Sequence, residues 1–527
     1  MSIPIRRRPL FGARTKPRIL LAAVAAGLLA TTAACGGGDD TAEGGQIKDL
    51  VVDVGAEPDS LDPMYRNTPE AQRYYRLVYS SLLKWNEDKT LAPDLAAEMP
   101  KISEDRKTYT IKLREGLKFH DGSALTAEDV VFTYKDVVAN RENGTVWLSA
   151  LAYMKDIKAL DDLTVEIQLT EPYAYMSSRL AMIPILSSET PYKVNDTYAQ
   201  SENGSGPYKL EKFNRGDSIV LRRFDDYYGK RPAFDTVTLK VVPEPASRVA
   251  RLTNGESHIA PGIPTDQVEL VKSRGHNAQV VETNISRLFF YPSMNKDRPT
   301  SNKDFRLALA WAIDRGAIVQ QVYKGAARPN STYLTYGMLY HDEQLGLHFG
   351  DKPNLEKARE HLEKSGIKLN RKLSIIAFNS PDLMSAATII QANFKELGID
   401  ATVEGQDVAG FYPKLVSGDY DLIMFSSPVT TAGGFAPDYV NGGLNSKSAN
   451  NFNKFADPKM DELLHAAMVA QIEEAQAEAW RRVQEYDLET QGNIQIVVSQ
   501  TSEAWSKDLK NYTPSSLAWL NTLLDAS

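Results

Sequence analysis

The stretch that decides the fold runs from Lys372 to Ser427: "KLSIIAFNSPDLMSAATIIQANFKELGIDATVEGQDVAGFYPKLVSGDYDLIMFSS". "KLSIIAF" (372–378) is an apolar β-branched run of strand length, bounded by the turn residues Asn379, Ser380 and Pro381. Residues 382–397 then carry Ile390, Phe394 and Leu397 at helical spacing and stop at Gly398, a residue suited to the left-handed end of a helix. "IDATVEG" (399–405) is a second strand, 408–416 a short helix, and "DLIMFSS" (421–427) a third strand. Strand-helix-strand-helix-strand within so short a span predicts a parallel α/β lobe, because parallel neighbours need a crossover helix.

Outside this stretch the pattern changes. "DLVVDVG" (49–55), "TYTIKL" (108–113), "TVEIQL" (164–169), "SIVLRRF" (218–224) and "TVTLKVV" (236–242) alternate as half-buried strands do. "DFRLALAWAID" (304–314) is a further helix, with Phe305, Ala308, Leu309, Ala312 and Ile313 expected to face inward. Two kinds of arrangement in 527 residues, 42% of them hydrophobic, predict separate lobes with a cleft between them.

The N-terminus bears on compartment. Arg6, Arg7, Arg8, Arg14, Lys16 and Arg18 precede an apolar run, Ile19 to Ala34, that falls short of the roughly 20 residues of a membrane-spanning helix. This is a secretory signal over 1–34. Arg7-Arg8-Pro9-Leu10-Phe11 also looks like a twin-arginine export signal. Cys35, the sole cysteine, cannot form an intrachain disulfide. Ala33-Ala34-Cys35 resembles a bacterial lipoprotein junction, in which the cysteine is acylated and becomes the new N-terminus, although Thr32 stands where that pattern usually has leucine. "GGGDDTAEGGQ" (36–46) would then be a flexible tether within 35–47. The alternative is a signal cut after Ala-x-Ala, with Cys35 incidental. Removing 1–34 leaves 493 residues and shifts the net charge from −8 to −14. So acidic a chain is a poor candidate for nucleic-acid binding.

Catalytic patterns are lacking. Ser81-Leu82-Leu83-Lys84 fits S-x-x-K, but the partner motifs S-D-N and K-T-G do not occur, and the family resemblance set out below implies an apolar helix there. "GSGPY" (204–208) lacks the lysine of a phosphate loop and reads as a tight turn. "FHDG" (119–122) reads as a polar turn between strand and helix. Neither H-E-x-x-H nor G-x-S-x-G is present, and the seven histidines form no close ligand pair. No enzyme, cofactor or metal site is expected.

Six blocks, in order along the chain, resemble one family: "EPDSLDP" (57–63), "LVYSSLLKWNEDKTLAPDLAAEM" (77–99), "DRKTYTIKLREGLKFHDGSALTAEDVVFTYKDV" (105–137), "SGPYKLEKF" (205–213), "NKDRPTSNKDFRLALAWAIDR" (295–315) and "GDYDLIMFSSPVTTAGGFAPDYVNGG" (418–443). The chain resembles the family 5 extracytoplasmic solute-binding proteins of ABC importers, the oligopeptide-, dipeptide- and nickel-binding group. The resemblance implies an α/β bilobed periplasmic-binding-protein-like clamp, with an extra subdomain inserted in lobe I. Lobe I would comprise 48–68, 186–290 and 488–527, the inserted subdomain 69–185, and lobe II 291–487.

It also implies a site. Family members place an aspartate three residues after an aromatic, and Gly434-Phe435-Ala436-Pro437-Asp438 reproduces that spacing. Asp438 would take a peptide's α-ammonium by a charge-assisted hydrogen bond, Phe435 would pack beside the ligand backbone, and Tyr439 would join them. The alternative is that Asp438 caps a turn after Pro437. Glu57 would face the cleft from lobe I. Departures from the family pattern are the inserted-looking "SSPVTTAG" (426–433), Phe435 in place of the commoner tryptophan, and Val408 where an aromatic often lines a pocket. The expected protein is a monomeric, lipid-anchored receptor on the outer face of the cytoplasmic membrane. It would pass peptides to an ABC permease and its ATPase. A nickel chelate, opine or sugar-like solute, or a signalling role, are the alternatives.

Overall fold

The computed structural model describes residues 47–58, 60–64, 68–88, 90–139, 152–190, 203–428, 437–448, 450–515 and 520–527. Two long antiparallel strands, Asn277–Pro292 and Ile494–Trp505, form the centre of an eleven-stranded mixed sheet. On one side follow Leu422–Pro428, Leu373–Phe378 and Ala401–Gln406. On the other follow Ile259–Ile263, Asp49–Val54, Thr236–Val241, Ser218–Arg223 and Tyr208–Asn214. The two long strands pair through most of their length, but the register breaks between Val281 and Ile285 opposite Thr501 and Gln500. Beyond the break one strand end joins each half: Asn277–Val281 pairs with 501–505, and Ser286–Pro292 with both 422–428 and the start of Ile494–Trp505. Extra residues on one strand bend a ladder and increase its twist. "IQIVV" (494–498) is buried at every position, which is why it reads as a continuous apolar run and not as alternation.

The Lys372–Ser427 stretch folds as its pattern requires. Leu373–Phe378 pairs in parallel with both Ala401–Gln406 and Leu422–Pro428. The crossover helix Pro381–Glu396 starts on a proline and is followed by Gly398 at φ +86°. Its Ile390 and Phe394 are fully buried. Arg371 gives two N–H groups to the buried Asp421 carboxylate (2.6 and 2.7 Å), tying the starts of two of these strands together. The helix Lys303–Ala312 differs from expectation in being buried all round from Phe305 onward, Arg306 included. That arginine turns inward. It donates to the Thr490 and Gln491 carbonyls (2.8–3.1 Å) and so satisfies acceptors that the C-terminus of helix Glu473–Thr490 leaves open.

In the other half, a four-stranded antiparallel sheet (Lys101–Ile102, Thr108–Lys112, Thr164–Leu169, Met154–Asp161) carries the helix Ala127–Ala139. Ser81 to Lys84 is not helical. Helix Pro69–Val78 ends first, Ser81 bridges to Pro184, and Leu83–Trp85 pairs with Leu91–Pro93. Backbone hydrogen bonds of this hairpin stand where the family resemblance implied a helix. "GSGPY" is a close approach: a Cβ on Gly204 would lie 2.0 Å from the Val78 carbonyl oxygen, and the Gly206 N–H donates to that oxygen. His120 is buried against the same turn, 3.0 Å from the Gly206 carbonyl, and burial pushes its imidazole down to about 4. The helices Pro458–Val469 and Glu473–Thr490 share one hydrophobic cluster with this half, and Trp480 donates to the Tyr175 hydroxyl (2.7 Å).

Candidate functional site

Alternation along "RLFFY" (287–291) places Arg287, Phe289 and Tyr291 on one face of the sheet. Phe289 and Tyr291 pack there with Phe425, Ile376 and, from the helix Val408–Ser417, Phe411 and Leu415. Phe378 stacks on Phe411 at 3.8 Å. Arg287 closes the aromatic row. It is fully buried, and its guanidinium lies 4.7, 4.1 and 4.3 Å from the ring centres of Phe289, Tyr333 and Tyr439. One N–H donates to the Tyr333 carbonyl (3.2 Å) and another to the Tyr439 hydroxyl. Burial works against its charge, and the phenol oxygens of Tyr439 and Tyr333 more than offset that.

Behind Tyr333 lies Asp487. Its Oδ2 accepts the Tyr333 N–H at 2.6 Å, while Oδ1 meets no donor among the described residues. Burial pushes this carboxyl up to about 7, against the opposing pull of the Tyr333 N–H and the Arg287 charge. Gly443 lets its helix come against Tyr333: a Cβ there would sit 1.8 Å from the phenol oxygen.

Tyr439 and Asp438 both lie on the helix Pro437–Leu444. Tyr439 is half-buried, donates to Ser427 Oγ (2.8 Å), and so ties that helix to the end of strand Leu422–Pro428. Asp438 is the second residue of the helix, where the partial positive charge of the N-terminus favours a carboxylate. The Asp438 side chain, Phe435, Cys35 and the tether up to Gln46 lie outside the described residues. Glu57 is half-buried, and its Oε2 accepts the Gly216 N–H (2.7 Å) in the turn joining Tyr208–Asn214 to Ser218–Arg223. Val408 begins the helix that covers the aromatic row.

Arg287, Tyr333 and Asp487 were not anticipated. A charged residue inside the apolar run "SRLFFY" is the one signal the sequence offered. Cavities of about 370 Å³ (around Asp94, Arg114 and Tyr228) and 620 Å³ (around Trp311, His348 and His361) share no residue with this cluster. Among the described residues no three His, Cys, Asp or Glu side chains group as metal ligands, and no helix is long and apolar enough to cross a membrane.

Residues 90–451 match the model of the bacterial extracellular solute-binding proteins, family 5. The chain belongs to that family. Family 5 solute-binding proteins are non-enzymatic transport components, in keeping with the absence of catalytic motifs from the sequence. Among curated relatives, protein XP55 of Streptomyces lividans is 29% identical over 456 residues, 82% of this chain and 80% of that protein. The probable D,D-dipeptide-binding periplasmic protein DdpA of Escherichia coli K12 is 25% identical over 489 residues, 88% and 91% of the two chains. The oligopeptide-binding protein AppA of Bacillus subtilis, solved with a nonapeptide, superposes with a TM-score of 0.77 at 21% identity, covering 91% of this chain and 99% of that one. The α/β clamp fold of the solute-binding proteins is therefore the fold of this family 5 member.

Proposed function

We propose that this protein is a lipid-anchored receptor that captures peptides by closure of two lobes and passes them to an ABC permease. Cys35 carries the anchor, and the receptor stands on the outer face of the cytoplasmic membrane. Lobe I comprises 48–68, 186–290 and 488–527 with the insert 69–185, and lobe II comprises 291–487. The two long strands are the hinge, flexing at the register break, so that the segments counted with lobe I beyond it, 285–290 and 494–500, move with lobe II. Peptide binding by relatives supports the solute class. The observation that carries the reading is the position of Asp438, one residue from the start of a helix that Tyr439 fastens to Arg287 and Ser427. A carboxylate on so fixed a support suits a peptide's α-ammonium, the one cation present whatever the side chains.

Calorimetric titration of the wild type and Asp438→Asn with free and N-acetylated dipeptides tests this. Either change removes one partner of a charged pair, a loss of about 2–5 kcal/mol, or roughly thirty-fold to several-thousand-fold in affinity. The two losses should not add, because they delete one contact. Additive losses would assign Asp438 to helix capping, and failure to bind any free peptide would move the solute to another chemical class.

A further inference from the structure

The cavity of about 370 Å³ around Asp94 lies where four stretches meet: the end of helix Pro69–Val78, the hairpin of Leu83–Trp85 and Leu91–Pro93, the turn after strand Ser218–Arg223, and residues 522–525. Leu77 and Tyr79 are buried at its floor, and Lys84 and Gly229 are exposed at its mouth. Small-molecule pockets run from roughly 300 to 1,000 Å³, so its size suits a small ligand. Tyr227 and Tyr228 form one wall, with ring centres 4.6 Å apart. Glycine at 229 lets the Tyr227 ring fold back over the turn, since a Cβ there would sit 2.6 Å from a ring carbon.

Most charges on its wall already have partners. Lys230 pairs with Asp525 (2.9 Å), Glu87 accepts the Ser515 hydroxyl (2.9 Å), and Arg76 donates to the Ala181 carbonyl (2.9 Å). Three charges do not close on one another. Asp94 Oδ1 accepts the Tyr228 hydroxyl at 2.6 Å, while no side chain among the described residues donates to Oδ2. Arg114 gives Nε–H to the Asp94 backbone carbonyl (2.6 Å) and stands 5.9 Å from the centre of the Tyr228 ring. Its terminal N–H groups meet no acceptor among the described residues, and neither does the Lys84 ammonium. Burial pushes the Asp94 carboxyl up, although the Tyr228 hydroxyl and the Lys84 charge pull the other way. Charged groups turned into a protein-walled space are costly unless something there completes their hydrogen bonds.

We propose that this cavity is a second ligand site, outside the Asp438 motif, for a small carboxylate that also carries hydroxyl groups. Arg114 and Lys84 take the carboxylate, the guanidinium through parallel N–H groups and the lysine as a point charge. A ligand hydroxyl donates to Asp94 Oδ2, on a carboxylate that the Tyr228 hydroxyl holds in place. The Tyr227 and Tyr228 rings offer apolar faces to its C–H groups. The uncommitted charges, Arg114 and Lys84 against Asp94, sum to one positive charge and favour a monoanion over a dicarboxylate or tricarboxylate. Nothing in this assignment depends on the solute taken at Asp438.

Saturation-transfer NMR with D-gluconate tests this, with sorbitol, which lacks its carboxylate, and propionate, which lacks its hydroxyls, as comparison probes. The wild type should bind gluconate, and should bind each of the other two at least about ten-fold more weakly, as the loss of a charge-assisted hydrogen bond implies. Lys84→Met and Arg114→Lys should each weaken gluconate by about ten-fold. Lys84 is exposed and unpaired, so Lys84→Met should melt as the wild type does. That variant decides the matter if Arg114→Lys, which alters the bond to the Asp94 carbonyl, fails to fold. Asp438→Asn should leave gluconate binding unchanged. No binding of gluconate by the wild type, or equal binding by Lys84→Met, overturns the inference and leaves the cavity to water alone. Sorbitol or propionate binding as well as gluconate overturns the ligand class, and loss of gluconate in Asp438→Asn places it at the peptide site instead. The dipeptide titration above can fail without altering any of these outcomes.

Discussion

Asp487→Asn should change the pH dependence of stability more than stability itself. The carboxyl is 1% exposed, receives one hydrogen bond, from the Tyr333 N–H, and titrates at about 7 in place of its ordinary 3.8 because burial disfavours the anion. The folded-state pKa is raised, so between these two values the folded protein holds a proton that the unfolded chain has lost. The resulting stabilisation is full below pH 3.8 and is lost as pH rises through 7. A gap of about three pK units, at about 1.4 kcal/mol per unit, sets a ceiling of about 4 kcal/mol. Asparagine keeps the acceptor for Tyr333 and does not titrate in this range. Urea unfolding followed by tryptophan fluorescence, from pH 5 to 8.5, gives the difference between the two proteins at each pH, and other titrating groups cancel in it. The stability of the wild type relative to Asp487→Asn should fall by roughly 2–3 kcal/mol across that range, most steeply between pH 5 and 6.5 and levelling off above pH 7. A difference that stays flat with pH would mean that Asp487 is ionised throughout, and the account of this buried cluster would be wrong.

Arg287→Lys should destabilise the protein by about 1–3 kcal/mol in the same urea assay, because one ammonium cannot reach both the Tyr333 carbonyl and the Tyr439 hydroxyl while covering three rings. It should also weaken solute binding through the loss of the Tyr439 tether; unchanged stability and affinity would show that the guanidinium holds nothing in place. Cys35→Ala should abolish labelling by radioactive palmitate and release the protein from the membrane fraction. Normal processing with full membrane retention in that variant would remove Cys35 as the anchor.

The parts of this fold that the sequence disclosed are those whose cause is local. Between Lys372 and Ser427 each element signals its own end, Pro381 and Gly398 among the markers, and the crossover rule leaves parallel pairing as the arrangement. Ser81 to Lys84, where the resemblance implied a helix, is instead fixed in a hairpin by bonds to residues 91–96 and to Pro184, which the motif itself does not contain. The site divides in the same way. Asp438, Phe435 and Tyr439 share one short motif, and their assignment to a site is what the family spacing implies. Arg287, Tyr333 and Asp487 meet through contacts spanning 46 to 154 residues, and no spacing rule links them. What those residues supply is support. Arg287 lies two positions past the register break on a strand that joins both halves of the sheet, and its guanidinium grips the tyrosine next to Asp438. In the proposed closure, movement at the break and placement of the ammonium anchor are therefore carried by one strand, so a ligand pulling on Asp438 acts on the hinge through a single buried cation.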